Sequence, residues 1–128
     1  MTIELNHTIV HARDPKASAT FLAELLGRPA PVPFGPFWTV ALDNGVTLDY
    51  IHGDGDELIV EHYAFLVGEA DFDRIFACIE QRGLQYWADP GHQGPGQINR
   101  RDGGRGVYWD DPNGHVLEII TRPYGSGG

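Results

Sequence analysis

The stretch Asp110–Glu118, reading DDPNGHVLE, decides how this chain is to be folded. Asp, Pro, Asn and Gly in immediate succession make a tight turn, because Pro presets its own φ and Gly accepts a positive one. The turn feeds an apolar run, Val116, Leu117, Ile119 and Ile120, interrupted by a single carboxylate at Glu118. A strand apolar on both sides can pack on both faces, and a charge inside it is costly unless something pairs with it. Either Glu118 lies on an exposed edge or it has a partner, and a metal ion is an economical one.

Working backward, VYWD at 107–110 and HVLEIIT at 115–121 read as a hairpin across that turn. The same pattern occurs earlier in the chain. FWTVAL at 37–42 and VTLDYIH at 46–52 flank Asp43-Asn44-Gly45, and Asp49 interrupts the second of these strands as Glu118 interrupts the last. In each copy the acid stands five positions after its Asn.

The elements ahead of the hairpins repeat as well. IELNHTIVHA at 3–12 is rich in β-branched and apolar residues and predicts a strand, with His7, Ile9 and His11 on one face. LIVEHYAFLV at 58–67 predicts another, carrying His62. A helix is expected at about 15–26: Asp14 is a suitable N-cap, Pro15 a suitable first residue, Phe21, Leu22, Leu25 and Leu26 form a stripe, and Gly27 ends it. A second helix is expected over 70–82, with Phe72, Ile75, Phe76 and Ile79 at helical spacing and Gly83 as the stop. The proline-rich segment 28–36 is expected to be a loop or short edge strand, 84–88 a short strand and 89–106 a long Gly-rich loop.

Both halves therefore read strand, helix, short strand, strand, Asn-Gly turn, strand. The expected fold class is α+β: two βαβββ modules forming a curved mixed sheet around a half-barrel cavity, with one helix per module on the outer face. Module one spans about 3–52, an acidic linker 53–57, module two about 58–123 and a flexible tail 124–128, all within one domain of 128 residues. The repeat places four residues with ligand chemistry, His7, Asp49, His62 and Glu118, at two recurring positions.

These motifs resemble the vicinal oxygen chelate superfamily, which includes glyoxalase I, fosfomycin-resistance transferases, bleomycin-binding proteins and extradiol dioxygenases. The resemblance runs through LNHTIVHARDPKASATFLAELLG at 5–27, EHYAFLV at 61–67 and VYWDDPNGHVLEII at 107–120. It implies that His7, His62 and Glu118 hold a divalent metal, Fe, Mn, Ni or Zn. The fourth ligand of the glyoxalase pattern falls on Asp49, one methylene shorter than the Glu usual there. Two imidazoles and a carboxylate leave adjacent positions open, which permits bidentate binding of a small oxygen-rich substrate.

The implied function is a metal-dependent enzyme with glyoxalase-like lyase or isomerase chemistry, or extradiol-type dioxygenase chemistry. The alternative is a metal-free antibiotic-binding protein of the bleomycin-binding kind. Tyr108 is a candidate hydrogen-bond donor to substrate, His11 and His52 are candidate proton carriers, and Arg100, Arg101 and Arg105 are a candidate clamp for a carboxylate or phosphate. Trp38 is a candidate cavity wall. Small members usually form homodimers, so a homodimer is expected, with the metal site completed either within one chain or across the pair.

Charge narrows the partners. Lys+Arg 9 against Asp+Glu 18 gives a formal net charge of −9, which repels nucleic acid and anionic membrane at long range. No 18-residue apolar run and no basic leader are present, so a cytoplasmic protein is expected. The lone cysteine, Cys78, sits in the second helical pattern and is expected to be a small buried hydrophobe.

Overall fold

The architecture was described from a computed structural model, which places residues 2–127. The chain divides into two compact units, Met1–Ile59 and Val60–Gly128. Strands pair within two sheets, four strands in the first unit and five in the second, and two helices complete an α+β fold.

In the first unit, β1 (His7–Ala12), β2 (Val32–Phe34), β3 (Phe37–Ala41) and β4 (Thr47–His52) lie in the order β1-β4-β3-β2. Helix α1 (Pro15–Leu26) starts where expected: the Asp14 side chain accepts from the Ala17 amide at 3.1 Å, and Pro15 occupies the first turn. Gly27 ends it at φ 68°, a left-handed conformation that only glycine adopts without strain. Its buried Leu22, Leu25 and Leu26 join Val10, Ala12, Val40, Leu48 and Tyr50 of the strands in the core of this unit. Strand β1 begins four residues later than the sequence pattern predicts, because its parallel partner β4 begins at Thr47, the residue level with His7. Ile3 and Leu5 consequently lie exposed.

The second unit comprises β5 (His62–Leu66), β6 (Tyr86–Asp89), β7 (Gln93–Pro95), β8 (Gly106–Asp110) and β9 (Val116–Ile120), ordered β5-β9-β8-β6-β7. Helix α2 (Glu69–Gln81) buries Phe72, Ile75 and Ile79, and its Phe76 ring meets Tyr86 of β6 edge-on with centroids 5.0 Å apart. The segment expected to be one long loop instead contains β7 and a 3-10 turn at Arg101–Gly103. Strand β7 is three residues long, too short for period-two patterning to announce it. Cys78 is partly exposed on α2 rather than buried.

The turn before β9 is built by Asp111, whose Oδ1 accepts from the amides of Asn113 at 2.8 Å and His115 at 2.9 Å. His115 is fully buried and its Nδ1 accepts from the Glu61 amide at 3.0 Å, although a histidine beside a turn reads from sequence as a surface residue. It joins the turn to the segment leading into β5.

The sequence repeat is also a repeat of register. In the first unit His7 pairs with Thr47 and Ile9 with Asp49; in the second His62 pairs with Val116 and Ala64 with Glu118. Each acid therefore lies on the central strand beside the residue two positions after the histidine. With side chains alternating across a strand, each histidine and its acid share one face of their sheet, opposite the core positions.

Candidate metal and substrate site

The second unit brings four of the sequence-predicted residues together. Glu118 is wholly buried on β9, and its Oε1 lies 3.0 Å from His62 Nε2. The Tyr108 ring, across the ladder from Glu118, lies nearly parallel to the His62 ring with centroids 5.8 Å apart. Arg101 donates from one guanidinium nitrogen to the Tyr108 hydroxyl at 3.2 Å and from the other to Asp89 on β6.

The protons on His62 follow from its neighbours. Its Nδ1 lies 3.0 Å from the Val116 carbonyl, which can only accept, so Nδ1 carries the hydrogen. In a neutral imidazole Nε2 then presents a bare lone pair to a carboxylate oxygen. Two acceptors at 3.0 Å repel unless a cation, either a proton or a metal, lies between them. The distance suits a metal: ligand atoms about 2.1 Å from a divalent ion and about 90° apart lie about 3.0 Å from each other. A backbone carbonyl holding the far nitrogen is also the usual way a ligating histidine is oriented. The His62–Glu118 pair therefore has the spacing and donor chemistry of two ligands to such a metal.

The first unit presents a parallel set. The His7 Nδ1 lies 2.8 Å from Asn6 Oδ1, which as an amide oxygen accepts and leaves Nε2 as the bare nitrogen. Asp49 is buried on β4, and its Oδ1 has no hydrogen-bond partner among the described residues. Buried carboxylate oxygens are rarely left so, and the missing partner is what a cation would supply. Among the described residues no three of His, Cys, Asp and Glu are gathered closely enough to enclose a metal ion.

The other sequence candidates are distributed differently. His11 shares the face of His7, and a Cβ built on Gly53 would come within 2.9 Å of its ring, so backbone closes over it. His52 is exposed, with Nδ1 donating to the Arg13 carbonyl at 3.0 Å and Nε2 3.4 Å from Asp54. Trp38 sits on β3 with the Lys16 ammonium 5.1 Å over its ring. Arg100 is exposed at the start of the 3-10 turn. Arg105 is engaged by α2: it donates to Glu69 and Asp73, each at 2.8 Å, while its guanidinium covers Phe72. Of the three arginines, Arg101 alone reaches Tyr108.

One residue escaped the sequence reading altogether. Tyr124, beyond the last strand, turns its hydroxyl onto Glu118 Oε2 and lies 2.9 Å from the Tyr108 hydroxyl. Burial, then the hydrogen bond to Glu118, pushes its phenol well above the ordinary tyrosine range, so it remains a proton donor. No periodicity marks it, because it belongs to no strand or helix.

No protein-family model matches the chain. Comparison with curated proteins finds the glutathione transferase FosA of Serratia marcescens, 31% identical over an alignment that covers 93% of this chain and 81% of the relative. The chain belongs to the vicinal oxygen chelate superfamily. Among solved structures it is similar to the oxidase ChaP-H1, 63% identical with TM-score 0.93 over 97% of this chain and 99% of that one. The oxidase ChaP-H2 is 60% identical with TM-score 0.95 over the full length of both chains. The fold alone is shared with the fosfomycin resistance protein FosX of Listeria monocytogenes, complexed with Mn(II), at 19% identity and TM-score 0.70 over 96% of this chain and 93% of that one. This superfamily member is an enzyme, as these relatives are, and among the described residues no helix is long and apolar enough to cross a membrane.

Proposed function

We propose that this chain is a metal-dependent oxidase acting on a small molecule with two neighbouring oxygens, such as a catechol or hydroxy-ketone, and that His7, His62 and Glu118 are its metal ligands. The observation that carries the metal is His62 Nε2 facing Glu118 Oε1 at 3.0 Å, with Nδ1 held by the Val116 carbonyl. Oxidative chemistry is favoured over lyase or isomerase chemistry by the printed names of relatives at 60–63% identity. When bound, a divalent ion supplies Lewis-acid charge to adjacent substrate oxygens.

The chain's own residues take the remaining roles. Tyr108, stacked beside His62 and held by Arg101, lines the substrate position, and Arg101 offers its remaining N–H groups to an anionic substituent. His11, on the His7 face, is the candidate proton carrier. The apolar strand side chains around Glu118 keep its charge out of water, where a cation is held more strongly. A glyoxalase-like reading retains one specific support, the partnerless buried Oδ1 of Asp49, which would serve as a further ligand.

The test begins with metal content after supplying Fe, Mn, Ni and Zn to wild type, His62→Ala and Glu118→Ala. Folded wild type holding less than about 0.1 metal per chain refutes the reading. Oxygen uptake with a catechol panel and Fe(II) then supports the oxidase. Turnover of an α-keto thiohemiacetal with Ni or Zn, without oxygen uptake, supports the lyase.

A further inference from the structure

Every polar atom of the Glu118 carboxylate is directed by a neighbour. Oε1 faces His62 Nε2, and Oε2 accepts from the Tyr124 hydroxyl. Counting protons gives the second contact a direction. The carboxylate only accepts, so the single Tyr124 proton goes to it. The Tyr124 oxygen must then accept from Tyr108, 2.9 Å away, and the Tyr108 oxygen in turn accepts from Arg101 at 3.2 Å. Arg101, Tyr108, Tyr124 and Glu118 thus form a chain of donors all pointing the same way. It starts at a group that can only donate and ends at one that can only accept. Bonds so aligned reinforce one another in a low-dielectric setting.

We infer that Tyr124 is a positioning residue for the metal ligand Glu118, holding Oε2 so that Oε1 stays aimed at the position it shares with His62 Nε2. The inference rests on the ligand assignment proposed above. A carboxylate held at one oxygen only would otherwise be free to turn about its last bond and carry Oε1 away from His62 Nε2. A hydroxyl donor on Oε2 ties up that oxygen and fixes the plane of the group. Oε1 is then kept at the spacing from His62 Nε2 that two ligands of one ion require.

The placement is built by the residues after β9. Pro123 cannot continue the ladder, and the Ser126 amide closes a turn onto the Pro123 carbonyl at 3.1 Å, with Arg122 donating to the Ser126 carbonyl at 3.3 Å. Tyr124, between Pro123 and Ser126, is thereby turned back toward the face that carries Glu118. Its ring remains half exposed, so replacing it with Phe removes the hydroxyl without emptying a core position.

The test is metal affinity, measured by competition with a chromogenic chelator using Mn(II) and Zn(II), on full-length wild type, Tyr124→Phe and Ile79→Val. The last lowers stability through α2 without touching the site. Tyr124→Phe is expected to bind either metal about 10- to 100-fold more weakly, the usual effect of removing a hydrogen bond to a ligating group. Ile79→Val is expected to stay within about twofold of wild type. Equal or tighter binding by Tyr124→Phe overturns the inference and leaves the ligand assignment standing. Equal weakening in both variants also overturns it, since general destabilisation would then explain the loss. A wild type that binds neither metal overturns the ligand assignment and this inference together.

Discussion

Replacing Glu118 with Gln separates what this residue does for folding from what it does for a metal. The carboxylate is entirely out of water, with His62 Nε2 at 3.0 Å and the Tyr124 hydroxyl as its partners. A glutamine amide reproduces both contacts. Its N–H donates to the Nε2 lone pair that the Nδ1–Val116 bond leaves bare, and its oxygen accepts from Tyr124. What disappears is the desolvated charge, whose effective penalty is several kcal/mol and is only partly offset by a half-exposed imidazole. Glu118→Gln is therefore expected to be more stable than wild type by about 1–3 kcal/mol in urea titrations with EDTA present. Adding a divalent metal at about 100 times its dissociation constant should stabilise wild type by about 2.7 kcal/mol and leave the variant unmoved. A variant less stable than wild type by more than about 1 kcal/mol without metal would refute the reasoning, because the carboxylate would then be a structural asset. Equal stabilisation of both proteins by metal would refute it as well.

Three further outcomes follow from the geometry. Asp111→Ala should cost about 2–3 kcal/mol in denaturant titrations, since it strands the buried amides of Asn113 and His115; a loss under about 0.5 kcal/mol would mean that water replaces the carboxylate. Arg105→Gln should lower stability by about 1 kcal/mol at neutral pH through its contacts with Phe72 and α2, with metal content unchanged. The hydrogen bond from Thr121, then that from Arg105, holds the Glu69 carboxyl below its ordinary value of 4.5. The stability this supplies is present above that value and is lost as pH falls through the lowered one, so acid titration of wild type should show a loss below about pH 4.5 that is smaller in Arg105→Gln. Identical acid limbs in the two proteins would refute that assignment.

Local chemistry made much of this protein legible in advance. Asp14-Pro15 and Gly27 bound α1 because a side-chain oxygen, a preset φ and a left-handed residue act within one turn of chain. The two Asn-Gly turns and the acids five positions beyond them recur as matching strand registers. Other features depend on residues far apart in sequence. The true start of β1 is set by where β4 begins, and the burial of His115 is set by the Glu61 amide.

At the site the division has the same cause. The sequence by itself determined that His7, Asp49, His62 and Glu118 occupy repeated positions, because a strand period of two and a tight turn are properties of a few adjacent residues. Tertiary structure alone decided that His62 presents Nε2 to Glu118, that Arg105 serves α2 while Arg101 serves Tyr108, and that Tyr124 closes on the carboxylate. Those are choices of hydrogen-bond partner across strands and a loop, and no pattern of neighbours along the chain encodes them.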